Sequence, residues 1–160
     1  MDVPPPAEHP TVEVTMARLT PYLSFRTEAR DALEFYGAVL GGEVEINTFD
    51  SIPGMIDDPA EGHLVMHGSV TTTGGLVLMA SDTPSSTPYV APNRGITVSL
   101  TGGPEDLAYV RGVVSGLSDG ATDVMPFEMA PWGDYYGQLT DRYGIAWLFD
   151  VGAEEPQPAP

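Results

Sequence analysis

The sequence of 160 residues contains no cysteine and no lysine, and its six basic residues are all arginine. Without cysteine, disulfide bonds and thiolate chemistry are excluded, and cysteine usage says nothing about the redox compartment. The 23 acidic residues give a formal net charge of −17, so the surface repels phosphate backbones and anionic lipid. We therefore expect neither nucleic acid nor a membrane surface as a partner, and cationic small molecules are favoured.

Long apolar runs are also missing, since none approaches the ~20 residues that a membrane-spanning helix needs. The segment Met1–Pro6 has neither a basic patch nor an apolar stretch, so it does not resemble a signal peptide. These two absences predict a cytoplasmic location.

Proline and polar residues dominate both ends of the chain. Residues 1–12 and 152–160 are predicted to be disordered tails, because such segments cannot bury enough apolar surface to fold. A single domain is predicted between them, over residues 18–151.

Two segments of this domain have helical spacing of apolar residues. The first begins at a predicted N-cap, Thr27, carries Leu33, Tyr36 and Leu40 on one face, and ends at Gly41. The second begins at Pro104, which suits the first helical position, and carries an apolar stripe that ends before Gly120.

Strand-like segments flank each helix in the same order. The predicted strands are residues 22–25, 43–48, 63–70 and 75–81 in the first half, and residues 95–100, 121–126, 135–140 and 145–151 in the second. The order predicts an α+β domain of two βαβββ repeats, at about 18–82 and 95–151. One repeat alone leaves a sheet face exposed, so duplication is a physical solution.

Two long loops are predicted, one within the first repeat and one between the two repeats. Residues 49–62 and 82–94 are rich in proline and in acidic or hydroxyl residues, which is typical of binding loops or lids and equally of surface excursions. Asp57, Asp58 and Glu61 lack the alternating spacing of a calcium loop, so a solvated acidic loop is favoured there.

Several short motifs occur in a recognisable order along the chain. They are Pro21-Tyr22-Leu23-Ser24-Phe25, Ala32-Leu33-Glu34-Phe35-Tyr36, Gly41-Gly42-Glu43-Val44, Met66-His67-Gly68, Leu78-Met79-Ala80-Ser81-Asp82, Trp132-Gly133-Asp134-Tyr135-Tyr136-Gly137 and Asp141-Arg142-Tyr143-Gly144-Ile145-Ala146-Trp147. Their order and spacing resemble the PhnB-like (3-demethylubiquinone methyltransferase-like) branch of the vicinal-oxygen-chelate superfamily, which comprises glyoxalases, bleomycin-resistance proteins and dioxygenases. This resemblance implies a curved, open-barrel mixed sheet around a ligand-sized cavity, and a homodimer.

The resemblance also implies four metal-ligand positions, usually histidine or glutamate. These positions fall at Pro21, Met79, Gly95 and Leu148 in this sequence. None of these side chains can ligate a hard or borderline cation. We therefore predict that the usual metal is absent and that no cofactor takes its place.

His67 is the best single candidate for chemistry. Strand alternation places Leu64, Met66 and Val70 toward the helices, and His63, Val65, His67 and Ser69 toward the cavity. His63 lies ~13 Å from His67 along a strand, too far for a shared metal. A relocated metal site would require His67 with Ser81, Asp82, Glu128 or Asp134. The alternatives are a metal-free acid/base, since histidine suits that role near neutral pH, and a hydrogen-bonded histidine in a cavity wall.

Aromatic residues cluster near the last hairpin. Tyr136 and Gln138 share a strand face that we assign to the cavity, with Trp132 at its rim or, equally, in core or dimer packing. Trp147 is predicted to pack in the core under the helices. The predicted ligand-binding residues are Leu23, Phe25, His67, Met79, Ser81, Trp132, Tyr136, Gln138 and Leu148.

These observations predict a homodimer that binds a small organic ligand, cationic or aromatic, without the usual metal. The alternative is a lyase, isomerase or dioxygenase-type enzyme that uses His67 or a relocated metal. A third possibility is a scaffold whose dimer surface is its function.

Overall fold

Residues 17–93 and 95–153 are described by the computed structural model, and they form two helices and eight strands. The first repeat consists of β1 Tyr22–Phe25, α1 Ala29–Leu40, β2 Gly42–Thr48, β3 Val65–Thr72 and β4 Val77–Asp82. The second consists of β5 Thr97–Gly102, α2 Leu107–Leu117, β6 Thr122–Met129, β7 Asp134–Thr140 and β8 Ala146–Gly152. Short 3-10 turns lie at Phe49–Ser51, Pro59–Glu61 and Pro104–Asp106.

The strands form two four-stranded sheets of the same topology. The order is β1-β4-β3-β2 in the first sheet and β5-β8-β7-β6 in the second. The first strand of each repeat pairs with the last in parallel, and the remaining pairs are antiparallel. The predicted α+β fold of two βαβββ repeats is confirmed, with two open sheets rather than a closed barrel.

The start of α1 is stabilised from a distant strand. Asp82, at the end of β4, accepts hydrogen bonds from the backbone amides of Ala29 (2.8 Å) and Val65 (2.9 Å). The first amides of a helix have no partner within it, so this carboxylate supplies one. The helix begins at Ala29, and the prediction of Thr27 as its N-cap is wrong.

One face of each sheet packs against the helices. The core includes Leu33 and Tyr36 from α1, and Trp147 from β8 is 3% exposed, which confirms its predicted place. Leu23 and Phe25 also join this core. Their predicted position on the cavity face is wrong, because the alternation of β1 turns Tyr22 and Ser24 to the other side.

The alternation of β3 changes within the strand. Asn47 pairs with His67, whereas the next residue of β2, Thr48, pairs with Val65, so β3 carries one extra residue there. Such a bulge moves the following side chains to the opposite face. Val65 is therefore buried in the core at 1% exposure, and its predicted place in the cavity is wrong.

A buried carboxylate joins the two repeats. Asp141, in the turn between β7 and β8, accepts hydrogen bonds from Tyr36 Oη of α1 (2.6 Å) and Trp147 Nε1 (2.9 Å). The same carboxylate accepts the backbone amides of Tyr143 and Ile145. Burial, followed by the charge of Asp141, raises the pKa of Tyr36 far above its usual value, so its hydroxyl stays a donor.

The predicted tails fall largely outside the described residues. All of residues 1–12 and most of 152–160 lie beyond them, but Gly152 still belongs to β8, where it pairs with Asp134. Within residues 17–93 and 95–153, no helix is long and apolar enough to cross a membrane.

Candidate functional site

Each sheet has a second face, opposite its helix-packed side, which we call its open face. On the first sheet this face includes the cross-strand row Tyr22, Met79, Ser69 and Glu45. On the second sheet the matching row is Ser99, Leu148, Gln138 and Met125. Met79 and Leu148, two of the implied ligand positions, are thus equivalent in the two repeats.

The open face of the first sheet is polar around His67. A hydrogen bond of 3.0 Å joins His67 Nδ1 to Tyr22 Oη, and the two rings lie 5.6 Å apart. Ser81 lies on the same face, where it pairs with Ser24. Tyr22 is half exposed, so the pair is accessible to a ligand. His67 is thus hydrogen-bonded on the open face, and its place in the wall of a ligand cavity stays a prediction.

The open face of the second sheet is aromatic and acidic. The rings of Trp132 and Tyr136 meet edge-on with centroids 5.3 Å apart, and Trp132 is 62% exposed. Gln138 Nε2 donates to Tyr136 Oη at 2.6 Å, which orients the phenol. The structure therefore brings together the three residues that the sequence assigned to this hairpin.

Carboxylates flank this aromatic pair. A cross-strand row places Asp150, Tyr136 and Glu128 side by side, and Asp134 begins the same strand as Tyr136. Asp134 lies diagonally across from Asp150 on the paired strand, and partial burial, then the charge of Asp134, raises the pKa of Asp150. Carboxylates on neighbouring strands of one face repel each other, so the pair favours a nearby cation.

Asp150 was not among the site residues predicted from the sequence, and Tyr22 was not assigned to either face of β1. The signal for Asp150 was present, because it alternates with Leu148 on β8 and must share its face. Tyr22 could likewise have been placed from the apolar character of Leu23 and Phe25, which indicates the buried side of β1.

The implied metal-ligand positions do not suit a metal. Met79 and Leu148 lie on the open faces, Pro21 precedes β1, and Gly95 lies in the turn before β5. None of the four offers a carboxylate or imidazole. Among residues 17–93 and 95–153, no three histidine or acidic side chains converge in a way that could hold a metal ion. We derive no chemistry through a metal here, and the expectation of a metal-free site stays a prediction.

The residues considered for a relocated metal site are dispersed. His67 and Ser81 belong to the first sheet, whereas Glu128 and Asp134 belong to the second. Asp82 is buried on the helix side, and both of its oxygens accept backbone amides. Burial raises the pKa of Asp82, although these two hydrogen bonds oppose the effect. Asp82 is therefore a structural residue, and its place in the candidate set is corrected.

The two long loops contact each other beside the first sheet. Glu61 accepts hydrogen bonds from both the backbone amide (2.9 Å) and the hydroxyl (3.0 Å) of Ser85. A cavity of about 340 Å³ lies between the loops, with Asp57, Met66 and Ser81 in its wall. The loops are thus tied together over part of the first sheet, and their role as lids stays a prediction.

Comparison with known proteins supports the fold and identifies proteins of similar sequence. No family model matches the chain. Protein YjdN of Escherichia coli K12 is 25% identical over 148 residues, which cover 86% of this chain and 97% of YjdN.

Solved structures share the architecture along most of the chain. Protein PA1353 from Pseudomonas aeruginosa is similar with a TM-score of 0.72 and 28% identity, over 85% of this chain and 98% of that one. A PhnB protein from Bacillus cereus, described as a 3-demethylubiquinone-9 3-methyltransferase, has a TM-score of 0.65 and 22% identity, over 85% and 100%. A glyoxalase/bleomycin resistance/dioxygenase domain from Frankia has a TM-score of 0.51 and 15% identity, over 91% and 96%. With its two βαβββ repeats and these likenesses, the chain has the fold of these PhnB-like and glyoxalase/bleomycin resistance/dioxygenase structures.

Proposed function

We propose that this protein binds a small aromatic cation on the open face of the second sheet, without a tightly held metal. The observation that carries the proposal is the exposed Trp132–Tyr136 pair, whose phenol is oriented by Gln138. An exposed tryptophan beside an oriented tyrosine provides flat apolar area together with a polar anchor.

The charges around this pair support a cationic ligand. Asp134, Asp150 and Glu128 lie on the same sheet face or at its edge, and the whole chain has a net charge of −17. A cation over an aromatic ring gains from the ring quadrupole, and carboxylates nearby add Coulomb attraction. A bound cation also relieves the repulsion between Asp134 and Asp150.

The proposal is tested with three probes of matched shape. N-methylquinolinium is cationic, 2-methylquinoline is uncharged at neutral pH, and quinoline-2-carboxylate is anionic. Tryptophan fluorescence and melting temperature report binding, because Trp132 is exposed and Trp147 is buried. We expect the cation to bind best and the anion least. Equal responses to all three probes, or none, would exclude the proposed site.

We further propose that the binding form is a homodimer. The open side of β5 is exposed in the single chain, and most of β6 is exposed on both faces, including Met125 and Met129, each at 50%. A second copy could bury such apolar surface. Light scattering after size exclusion should give twice the mass of 17.0 kDa, and a monomer at micromolar concentration would contradict this part of the proposal.

A second candidate function is enzymatic, and it depends on the Tyr22–His67 hydrogen bond. A phenol and an imidazole in contact on an open face can pass a proton to a ligand. Assays with glyoxalase and dioxygenase substrates test this candidate. Turnover that disappears in both His67→Gln and Tyr22→Phe would favour it, and turnover that survives in His67→Gln would exclude His67 as the acid/base.

A further inference from the structure

A separate cavity of about 490 Å³ lies where the two repeats meet. Its wall is built from the end of α1, the turn between β3 and β4, strand β5 and the start of α2. Neither the His67 pair nor the Trp132–Tyr136 pair lines it. Its volume lies within the range of pockets that hold small organic molecules.

One side of this seam cavity is apolar. The side chains are Leu40 and Val110, which are buried, together with Leu100 and Leu76, which is 38% exposed. Leucine and valine side chains favour an aliphatic group, because its burial removes apolar surface from water. The cavity can therefore bind a hydrocarbon chain or ring of modest size.

The polar side of the seam cavity is negative. Asp106 lies in its wall, and its Oδ2 accepts the amide of Gly103 at 3.0 Å, so the carboxylate is held in place with a second oxygen to offer. Helix α1 also ends here, at Leu40, and the C-terminal end of a helix carries partial negative charge. Among the described residues that line this cavity, none is basic.

The hydroxyl of Tyr109 fixes the position of the negative end of the seam cavity. It donates to the carbonyl of Leu40 at 2.9 Å, which ties α2 to the last turn of α1 and fixes the width of the cavity. The negative end and the apolar side are therefore held by contacts between the two repeats rather than by a single loop.

We propose that the seam cavity binds a small aliphatic ammonium ion, with its hydrocarbon part on the leucines and its charged nitrogen at Asp106. Charge complementarity selects an amine over an alcohol or an acid of the same length. This site is distinct from the aromatic face of the second sheet, and it is available to a ligand without aromatic character.

The experiment is calorimetric titration of hexylamine into the full-length protein, with hexan-1-ol and hexanoate as the uncharged and anionic counterparts. Binding should be tightest for the amine, weaker for the alcohol and absent for the acid. Asp106→Asn keeps an oxygen for the Gly103 amide but removes the charge, and it should weaken hexylamine binding about tenfold. No binding of hexylamine to the wild-type protein would overturn the proposal.

Matched variants distinguish specific binding in the seam cavity from general electrostatic attraction to an acidic surface. Glu105 is exposed, adjacent to Asp106 and outside the cavity wall, so Glu105→Gln removes the same charge and should leave the affinity unchanged. Leu76→Trp should block the cavity without touching the buried core, whereas Trp132→Ala should have no effect on hexylamine. Equal weakening by Asp106→Asn and Glu105→Gln, or undiminished binding in Leu76→Trp, would overturn the proposal.

Discussion

The two repeats are alike on their helix-packed sides and different on their open faces. Both sheets have the same strand order, and each helix-packed side contributes to one core. The open face of the first sheet carries the Tyr22–His67 pair among hydroxyl groups, whereas that of the second carries Trp132, Tyr136 and carboxylates. The helix-packed sides therefore hold the fold together, whereas the open faces carry the residues that differ in chemistry.

The greatest loss of stability is expected when Asp141, whose buried carboxylate joins the two repeats, is removed. Asp141→Ala should lower the free energy of unfolding by about 3–5 kcal/mol, because it leaves the buried Tyr36 hydroxyl, the Trp147 indole and two backbone amides without their acceptor. Tyr36→Phe should cost less, about 1.5–3 kcal/mol, since it removes one hydrogen bond to a charged group. Urea denaturation checks both values. A loss below about 1 kcal/mol in Asp141→Ala would mean that the repeats are joined in some other way.

A smaller loss in the free energy of unfolding is expected when a contact within the first repeat alone is removed. Asp82→Ala removes the acceptor for the amides of Ala29 and Val65, and we expect a loss of about 2–4 kcal/mol. Hydrogen exchange should show the change first at the start of α1. Uniform loss of protection across both sheets would instead show that the repeats unfold only as one unit.

The open faces are compared by a binding experiment. Trp132→Ala should weaken N-methylquinolinium binding about tenfold or more, since aromatic and cation–π contacts contribute on the order of 1–2 kcal/mol. Ile96→Ala removes a comparably exposed apolar side chain outside the site and serves as the control. Asp134→Asn, with Glu34→Gln as its charge-matched control, should weaken binding less. Equal effects of a variant and its control would remove the second sheet as the site.

The smallest expected effect is a pH dependence of stability shared by both repeats. The folded-state pKa of Asp82 and of Asp150 is raised, in each case first by burial. A raised pKa contributes stability that is present below the unfolded value and is lost as pH rises through the folded value. The protein should therefore be more stable in mild acid than at neutral pH.

Asp150→Asn isolates the contribution from the open face. It should stabilise the protein at neutral pH by up to about 1 kcal/mol, the scale of exposed charge pairs, and flatten the pH profile. Denaturation midpoints across the acidic range measure this effect. A steeper profile in the variant would contradict the repulsion between Asp134 and Asp150.

Much of the fold was predictable because helical spacing and repeat order are local features. The apolar stripe that includes Leu33, Tyr36 and Leu40 predicts α1, and the same element order recurs in the second half. The N-cap was not predictable in this way, because Asp82 reaches it from a strand 53 residues away. Val65 was misplaced because a bulge depends on the pairing with β2, which no local pattern reveals.

The candidate site was predictable only in part. Strand alternation predicts that Tyr136 and Gln138 share one face of the hairpin, and their side chains are hydrogen-bonded; their contact with a ligand stays a prediction. Leu23 and Phe25 were misplaced because the implied ligand at Pro21 outweighed the apolar pattern of β1 itself. Asp134 and Asp150 lie on the paired strands β7 and β8, so their proximity depends on strand pairing, which only the structure shows.

Binding of an aromatic cation without metal is best tested by calorimetric titration of N-methylquinolinium into protein that has been stripped of metal with a chelator. We expect one ligand per chain and an affinity that does not change when Zn²⁺, Ni²⁺, Mn²⁺ or Fe²⁺ is added back. Binding that requires one of these metals, or no binding to the stripped protein, would contradict the proposal of a metal-free site for an aromatic cation.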